Sequence, residues 1–142
     1  MTKKKWGQNF LINQNVIESI IEVAKVGIGD SILEIGPGSG VLTKALLDQQ
    51  SCVKAIEIDP KWCQFLKNRF KNEKKFTLVE MDIMEIPLNS FSTLLSEPSK
   101  IVANLPYNIV TPLLLKILPI RKTWDSLTLM VQKEVAERIC AK

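Results

Sequence analysis

The sequence predicts an α/β protein with a doubly wound, mostly parallel sheet, and three observations carry that prediction. Short apolar runs that read as strands alternate with stretches whose apolar residues recur every three or four positions, the spacing of helices laid on a sheet. A glycine-rich turn, Gly36-Pro37-Gly38-Ser39-Gly40, joins the first run to the periodic stretch behind it. Each later run ends on a polar residue, Glu57, Asp82, Asn104 or Gln132. In a parallel sheet with right-handed crossovers such residues gather along one edge, where ligands bind.

Taken in order, Asn13 is the expected N-cap of a helix over Val16, Ile17, Ile20, Ile21 and Ala24, with Gly27 and Gly29 as its stop. Ser31 to Ile35 is the first strand, and the helix after the glycines should bury Val41, Leu42, Ala45 and Leu46. Cys52 to Ile58 is the second strand. Pro60, in a first helical turn, opens a helix carrying Trp62, Phe65, Leu66 and Phe70. Phe76 to Met81, Lys100 to Ala103 and Leu127 to Val131 read as strands three to five, and further helices are expected over Val110 to Leu118 and Lys133 to Cys140. Asn89 to Ser99, rich in serine and containing Pro98, reads as a loop or a short irregular helix.

Composition bounds the function. A chain of 142 residues with 46% hydrophobic and 24% charged content has the length of one globular domain. No apolar run approaches the roughly 18 residues of a membrane span. The basic Lys3, Lys4 and Lys5 lead into Trp6-Gly7-Gln8-Asn9 rather than an apolar leader, so a cytoplasmic protein is expected. Cys52, Cys63 and Cys140 form no C-x-x-C pair and there is no histidine, so neither a disulfide framework nor a metal site is expected. The net charge of +4 and the cations Lys67, Arg69, Lys71, Lys74 and Lys75 fit a nucleic-acid partner. A solvated helix face accounts for the same cluster.

The spacing Gly36, Gly38, Gly40 departs from the dinucleotide fingerprint G-x-G-x-x-G, which would need glycine where Val41 stands. Glu57, roughly 20 residues on, is placed to accept both hydroxyls of a ribose. A ribose without a pyrophosphate points to a nucleoside cofactor such as S-adenosylmethionine, although a tight structural turn explains the glycines alone. Asp82 can accept from an exocyclic amine, as adenine recognition requires, or simply cap a strand end.

Asn104-Leu105-Pro106-Tyr107 then raises the question of what reaction such a turn could serve. An adenine amine is a poor nucleophile because its lone pair is delocalised into the ring, so a site that alkylates it needs hydrogen-bond acceptors more than a strong base. The Asn104 side-chain oxygen and the Leu105 carbonyl could supply them, with Pro106 fixing the turn and Tyr107 stacking on the base. A strand-terminating turn with a core tyrosine is the plainer alternative. Cytosine C5 methylation would want a cysteine nucleophile at a strand end, and none is predicted there.

With these residues in view, the chain resembles the N-terminal part of the bacterial small-subunit ribosomal RNA adenine dimethyltransferases. The likeness runs from Gly7 to Arg138 through "GQNFL", "EIGPGSG", "IEIDP", "MDIMEI", "NLPYNI" and "VQKEVAER" in family order. It implies a Rossmann-like class I methyltransferase that dimethylates, with S-adenosylmethionine, the N6 amines of two adjacent adenines near the 3′ end of small-subunit RNA in an assembling 30S particle. It implies that Asn9 and Leu11 close over the cofactor, Gly36 lies against it, Glu57 holds its ribose, Asp82 its adenine amine, and Asn104 reaches cofactor and target. Gly38, Ile58 and Ile83 join the cofactor-binding positions, and Tyr107 stacks on the target.

The erythromycin-resistance methyltransferases of large-subunit RNA, and a non-catalytic assembly factor on the same scaffold, are the alternatives. Family chains continue beyond this length, so residues 1–142 are expected to be an incomplete catalytic domain. Its sheet would have the order 3-2-1-4-5, with the fifth strand an open edge through which copies could pair.

Overall fold

In the run Ser31–Ile35 every residue after the first is buried, as a strand covered on both faces requires. The computed structural model of the chain describes residues 13–94 and 99–141. In chain order it contains α1 (Gln14–Ala24), β1 (Ser31–Ile35), α2 (Val41–Asp48), β2 (Cys52–Glu57), α3 (Pro60–Arg69) and β3 (Phe76–Glu80). A 3₁₀ turn (Ile83–Glu85), α4 (Leu88–Leu94), β4 (Ser99–Asn104), α5 (Tyr107–Ile117), a second 3₁₀ segment (Leu118–Thr123), β5 (Ser126–Met130) and α6 (Lys133–Cys140) follow. The five strands form one sheet in the order β3-β2-β1-β4-β5, parallel at every pairing. This is the doubly wound architecture and the order expected from the sequence.

Successive strand residues point to opposite faces, and each face has its own core. Ile32, Val53 and Val102 meet Ile17 and Ile20 of α1, Leu42 and Leu46 of α2, and Leu66 and Phe70 from α3. On the other face Leu33, Ile35, Ile101 and Ala103 meet Ile83, Ile86 and the α5 residues Val110, Leu113 and Ile117. Each fully buried Leu or Ile contributes about 1.5–3 kcal/mol relative to exposure. β5 is half-buried along its whole length, as an edge strand is. Among the described residues no helix is long and apolar enough to cross a membrane.

Asn13 caps α1 as expected, its side-chain oxygen accepting from the amides of Asn15 at 2.8 Å and Val16 at 3.4 Å. The stop differs. Lys25, not Gly27, takes the left-handed conformation at φ 53°. Its carbonyl accepts from Lys100 Nζ at 2.6 Å, a contact from β4 that holds the strained residue.

The α2 inner face also differs, because Leu42, Thr43, Leu46 and Leu47 are the buried residues while Val41 and Ala45 are half-buried. In α3 Cys63 and Leu66 are the buried residues, while Phe65 lies 46% exposed with its ring edge-on to Trp62. α5 begins at Tyr107 rather than Val110, since Pro106 at φ −66° sets the chain for a helix and its carbonyl accepts from Ile109 N at 3.0 Å. Part of the stretch Asn89 to Ser99 is helical, within α4. Strand ends move by about one residue: Ile58 and Met81 fall outside β2 and β3, Ser99 and Asn104 fall inside β4, and β5 begins at Ser126 and stops before Val131.

Candidate active site

Parallel register brings the strand ends together. Ile35 pairs with both Ile56 and Ala103, Glu57 with Glu80, and Asn104 with Met130. The chain therefore leaves β3, β2, β1 and β4 on one edge, and Asp82, Glu57, Gly36 and Asn104 follow one another along it. Three strand spacings of about 4.8 Å separate the first from the last, about 14 Å in all. Gln132, expected on the same edge, is the exposed N-cap residue of α6 and makes no side-chain cap bond.

The glycine loop is built by its backbone. Gly36, at φ 72°, donates its N–H to Ile56 O at 2.9 Å, and a Cβ placed on it would stand 3.8 Å from the Asn104 carbonyl. Gly40, at φ 86°, has no room for a side chain, because a Cβ would come within 2.8 Å of the Phe70 ring and 3.0 Å of Leu66. Arg69 Nη1 donates to Ser39 O at 2.7 Å and ties the loop to the end of α3.

Glu57 is 2% exposed at the end of β2. Its Oε1 accepts from Gly38 N at 2.9 Å and its Oε2 from Asp59 N at 3.0 Å. Burial raises its pKa, and the amides of Asp59, Gly38 and Ile58 oppose the rise. Beneath it lies a carboxyl that sequence reasoning missed. Glu34, next to last in β1, is fully buried and accepts from Thr43 Oγ1 at 2.5 Å. Burial pushes it up to about 8, with Thr43 opposing and the charge of Glu57 adding to the rise. The signal was an acid inside the apolar run Ile32-Leu33-Glu34-Ile35, where a charged residue is rarely buried without a partner.

Asp82 is half-buried, and its Oδ1 accepts from Met84 N at 2.9 Å, capping the 3₁₀ turn. The side chain of Ile83 is buried in the core, so any ligand contact of that residue falls to its main chain. Ile58 is half-buried beside Glu57. Asn104 closes β4 half-buried. Leu105 is 3% exposed and donates to Met130 O at 3.3 Å, and Pro106 is buried, so the two anchor the turn. Tyr107, by contrast, is 65% exposed at the start of α5 and is not a core residue. Asn9 and Leu11 lie outside the described residues.

Cysteine supplies no nucleophile at this edge. Cys63 lies inside α3, donates to Glu57 O at 3.4 Å, and its thiol is pushed up to about 12, by burial first and then by neighbouring carboxylates.

A family model described as ribosomal RNA adenine dimethylase matches residues 1–142. The chain belongs to that family. It is 42% identical over 141 residues to the ribosomal RNA small subunit methyltransferase A of Fusobacterium nucleatum, covering 99% of this chain and 52% of the relative. The protein of the same name from Acaryochloris marina is 40% identical, with 99% and 54% covered. The chain thus spans about half the length of the curated relatives it matches. Among solved structures, a dimethyladenosine transferase from Plasmodium falciparum superimposes with a TM-score of 0.79 at 32% identity, covering 94% of this chain and 47% of that one. The 23S rRNA methyltransferase ErmE superimposes at 0.77 with 29% identity, covering 91% and 50%. The two superpositions agree with the Rossmann-like fold described above.

Proposed function

We propose that the chain is the S-adenosylmethionine-binding catalytic domain, within residues 1–142, of a cytoplasmic enzyme that dimethylates adenine N6 in small-subunit ribosomal RNA. The substrate is taken to be two adjacent adenines near the 3′ end of that RNA within an assembling 30S particle. The carrying observation is the order Asp82, Glu57, Gly36, Asn104 along one sheet edge in a chain of the dimethylase family.

The residues fit the cofactor by their chemistry. A buried carboxylate held by backbone amides suits a ribose diol, a second carboxylate one strand further suits the adenine amine, and the glycine backbone leaves space for the chain between. When bound, S-adenosylmethionine supplies an electrophilic methyl group on its sulfonium. Asn104 and the Leu105 carbonyl accept hydrogen bonds from the target amine and let its nitrogen pyramidalise. Tyr107 stacks on the target base, and the rigid Leu105-Pro106 turn holds the acceptors without reorganisation. No histidine is needed, since the proton leaves after transfer, to water or a backbone carbonyl.

The test is calorimetric titration of this chain with S-adenosylmethionine, followed by transfer assays on small-subunit and large-subunit RNA. Saturable binding and transfer to the small-subunit RNA support the reading. Transfer confined to large-subunit RNA would favour the erythromycin-resistance type, and RNA binding without transfer an assembly factor.

A further inference from the structure

Lys116 stands in the last turn of α5, and nothing in the reaction above uses it. Its half-buried Nζ donates to the main-chain oxygen of Ile83 at 2.9 Å. Ile83 opens the 3₁₀ turn capped by Asp82, whose Oδ1 is committed to Met84 N. One ammonium thus joins the helix that begins at Tyr107 to the turn that carries the proposed adenine acceptor. An ammonium gives up water at a cost. Burial pulls the Lys116 pKa down, and the charge of Asp82 opposes that fall. The plain alternative is a cation that favours the C-terminal end of its own helix dipole.

We propose that Lys116 is a positioning residue for base recognition: by gripping the Ile83 carbonyl it holds the Asp82 turn against α5, so that Asp82 tells an amino purine from an oxo purine. This rests on the reading that the strand-end edge takes an adenosyl cofactor. An amine donates to the carboxylate, whereas an oxo group in the same place sets oxygen against oxygen, and the difference is felt only if the carboxylate cannot retreat. Without Lys116 the turn keeps the apolar packing of Ile83 and Ile86 against α5 but loses its polar tie to the helix, and the selectivity falls more than the general affinity.

The experiment titrates wild type, Lys116→Met and Lys116→Arg with S-adenosylhomocysteine and S-inosylhomocysteine in the calorimeter, after thermal melts confirm folding. Wild type is expected to prefer the adenosyl ligand by about 30-fold or more, a hydrogen-bonding site's usual penalty for a mismatched partner. Lys116→Met is expected to shrink that preference to about threefold with little change for the inosyl ligand, and Lys116→Arg to restore most of it. If Lys116→Met fails to fold, Lys116→Gln carries the same comparison. A neutral variant that keeps the wild-type ratio, even with both ligands uniformly weakened, overturns the inference and leaves Lys116 a helix-end cation. Wild type binding both ligands equally overturns the role of Asp82. Wild type binding neither overturns the cofactor reading itself, and the inference with it.

Discussion

Glu57 Oε1 lies 2.9 Å from the backbone nitrogen of Gly38, so the carboxylate at the end of β2 and the glycine loop after β1 hold each other. Neither can shift alone. Replacing Glu57 by Ala is therefore expected to remove the proposed ribose acceptor and loosen the loop together. The expected loss of S-adenosylmethionine affinity is about a hundredfold or more, from hydrogen bonds to a charged group worth about 1.5–3 kcal/mol each. Titration calorimetry checks it, and wild-type affinity in Glu57→Ala would move the cofactor elsewhere.

Glu34 gives the fold a pH dependence. Its carboxyl is raised in the folded protein from the ordinary value of 4.5 to about 8. Below pH 4.5 folded and unfolded chains both hold the proton, and the contribution to stability is fully present. As pH rises the unfolded carboxyl ionises first, so stability is lost progressively up to about 8. Burial also raises Glu57, which adds a slope of the same sign. Glu34→Gln is expected to flatten the melting-temperature profile across that window and to gain most over wild type at its alkaline end. Parallel profiles for the two proteins would contradict the buried, protonated state.

Gly40→Ala tests the loop's packing. The new methyl would press on the Phe70 ring at 2.8 Å, on a residue already at φ 86°. Phe70 is itself packed against Phe76 with ring centroids 4.8 Å apart, so it cannot swing away freely. A loss of about 2–4 kcal/mol is expected from overpacking and left-handed strain together. Chemical denaturation reads it directly.

At the turn after β4, Asn104→Ala is expected to reduce transfer by about a hundred- to a thousandfold while RNA is retained, since preorganised polar groups act mainly on the transition state. Single-turnover assays beside a gel-shift titration separate the two effects. Unchanged transfer would remove Asn104 from the chemistry.

Tyr107→Ala is expected to weaken target engagement by about 1–3 kcal/mol, with Tyr107→Phe close to wild type, because stacking uses the ring and not the hydroxyl. A side chain 65% exposed at a helix start leaves the fold intact on removal, so the melting temperature should hardly move.

The alternation of strands and helices, the glycine turn and the polar strand ends were legible in the sequence because each is written in local periodicity or in residues with one special conformation. Strand direction followed from right-handed crossovers, while the order β3-β2-β1-β4-β5 was implied by the family resemblance. Edge residues were harder. Asp82 reads equally as cap and as ligand, and it does cap a turn. Lys116, nine residues beyond Tyr107, carries no local mark of its bond to Ile83.

By itself, then, the sequence determined the strands, the glycine turn and the arrival of Gly36, Glu57, Asp82 and Asn104 at one end of the sheet. Tertiary structure decided the matters that depend on distant partners. Lys100 braces Lys25, whose left-handed turn and not a glycine ends α1, and packing on the sheet buried Cys63 while Phe65 stayed exposed. Burial inside the covered sheet, with the charge of Glu57 beside it, gave Glu34 its raised pKa against the opposing bond from Thr43. A local pattern specifies what one element can be, while the charge state and contacts of a buried group are set by whatever the rest of the chain brings against it.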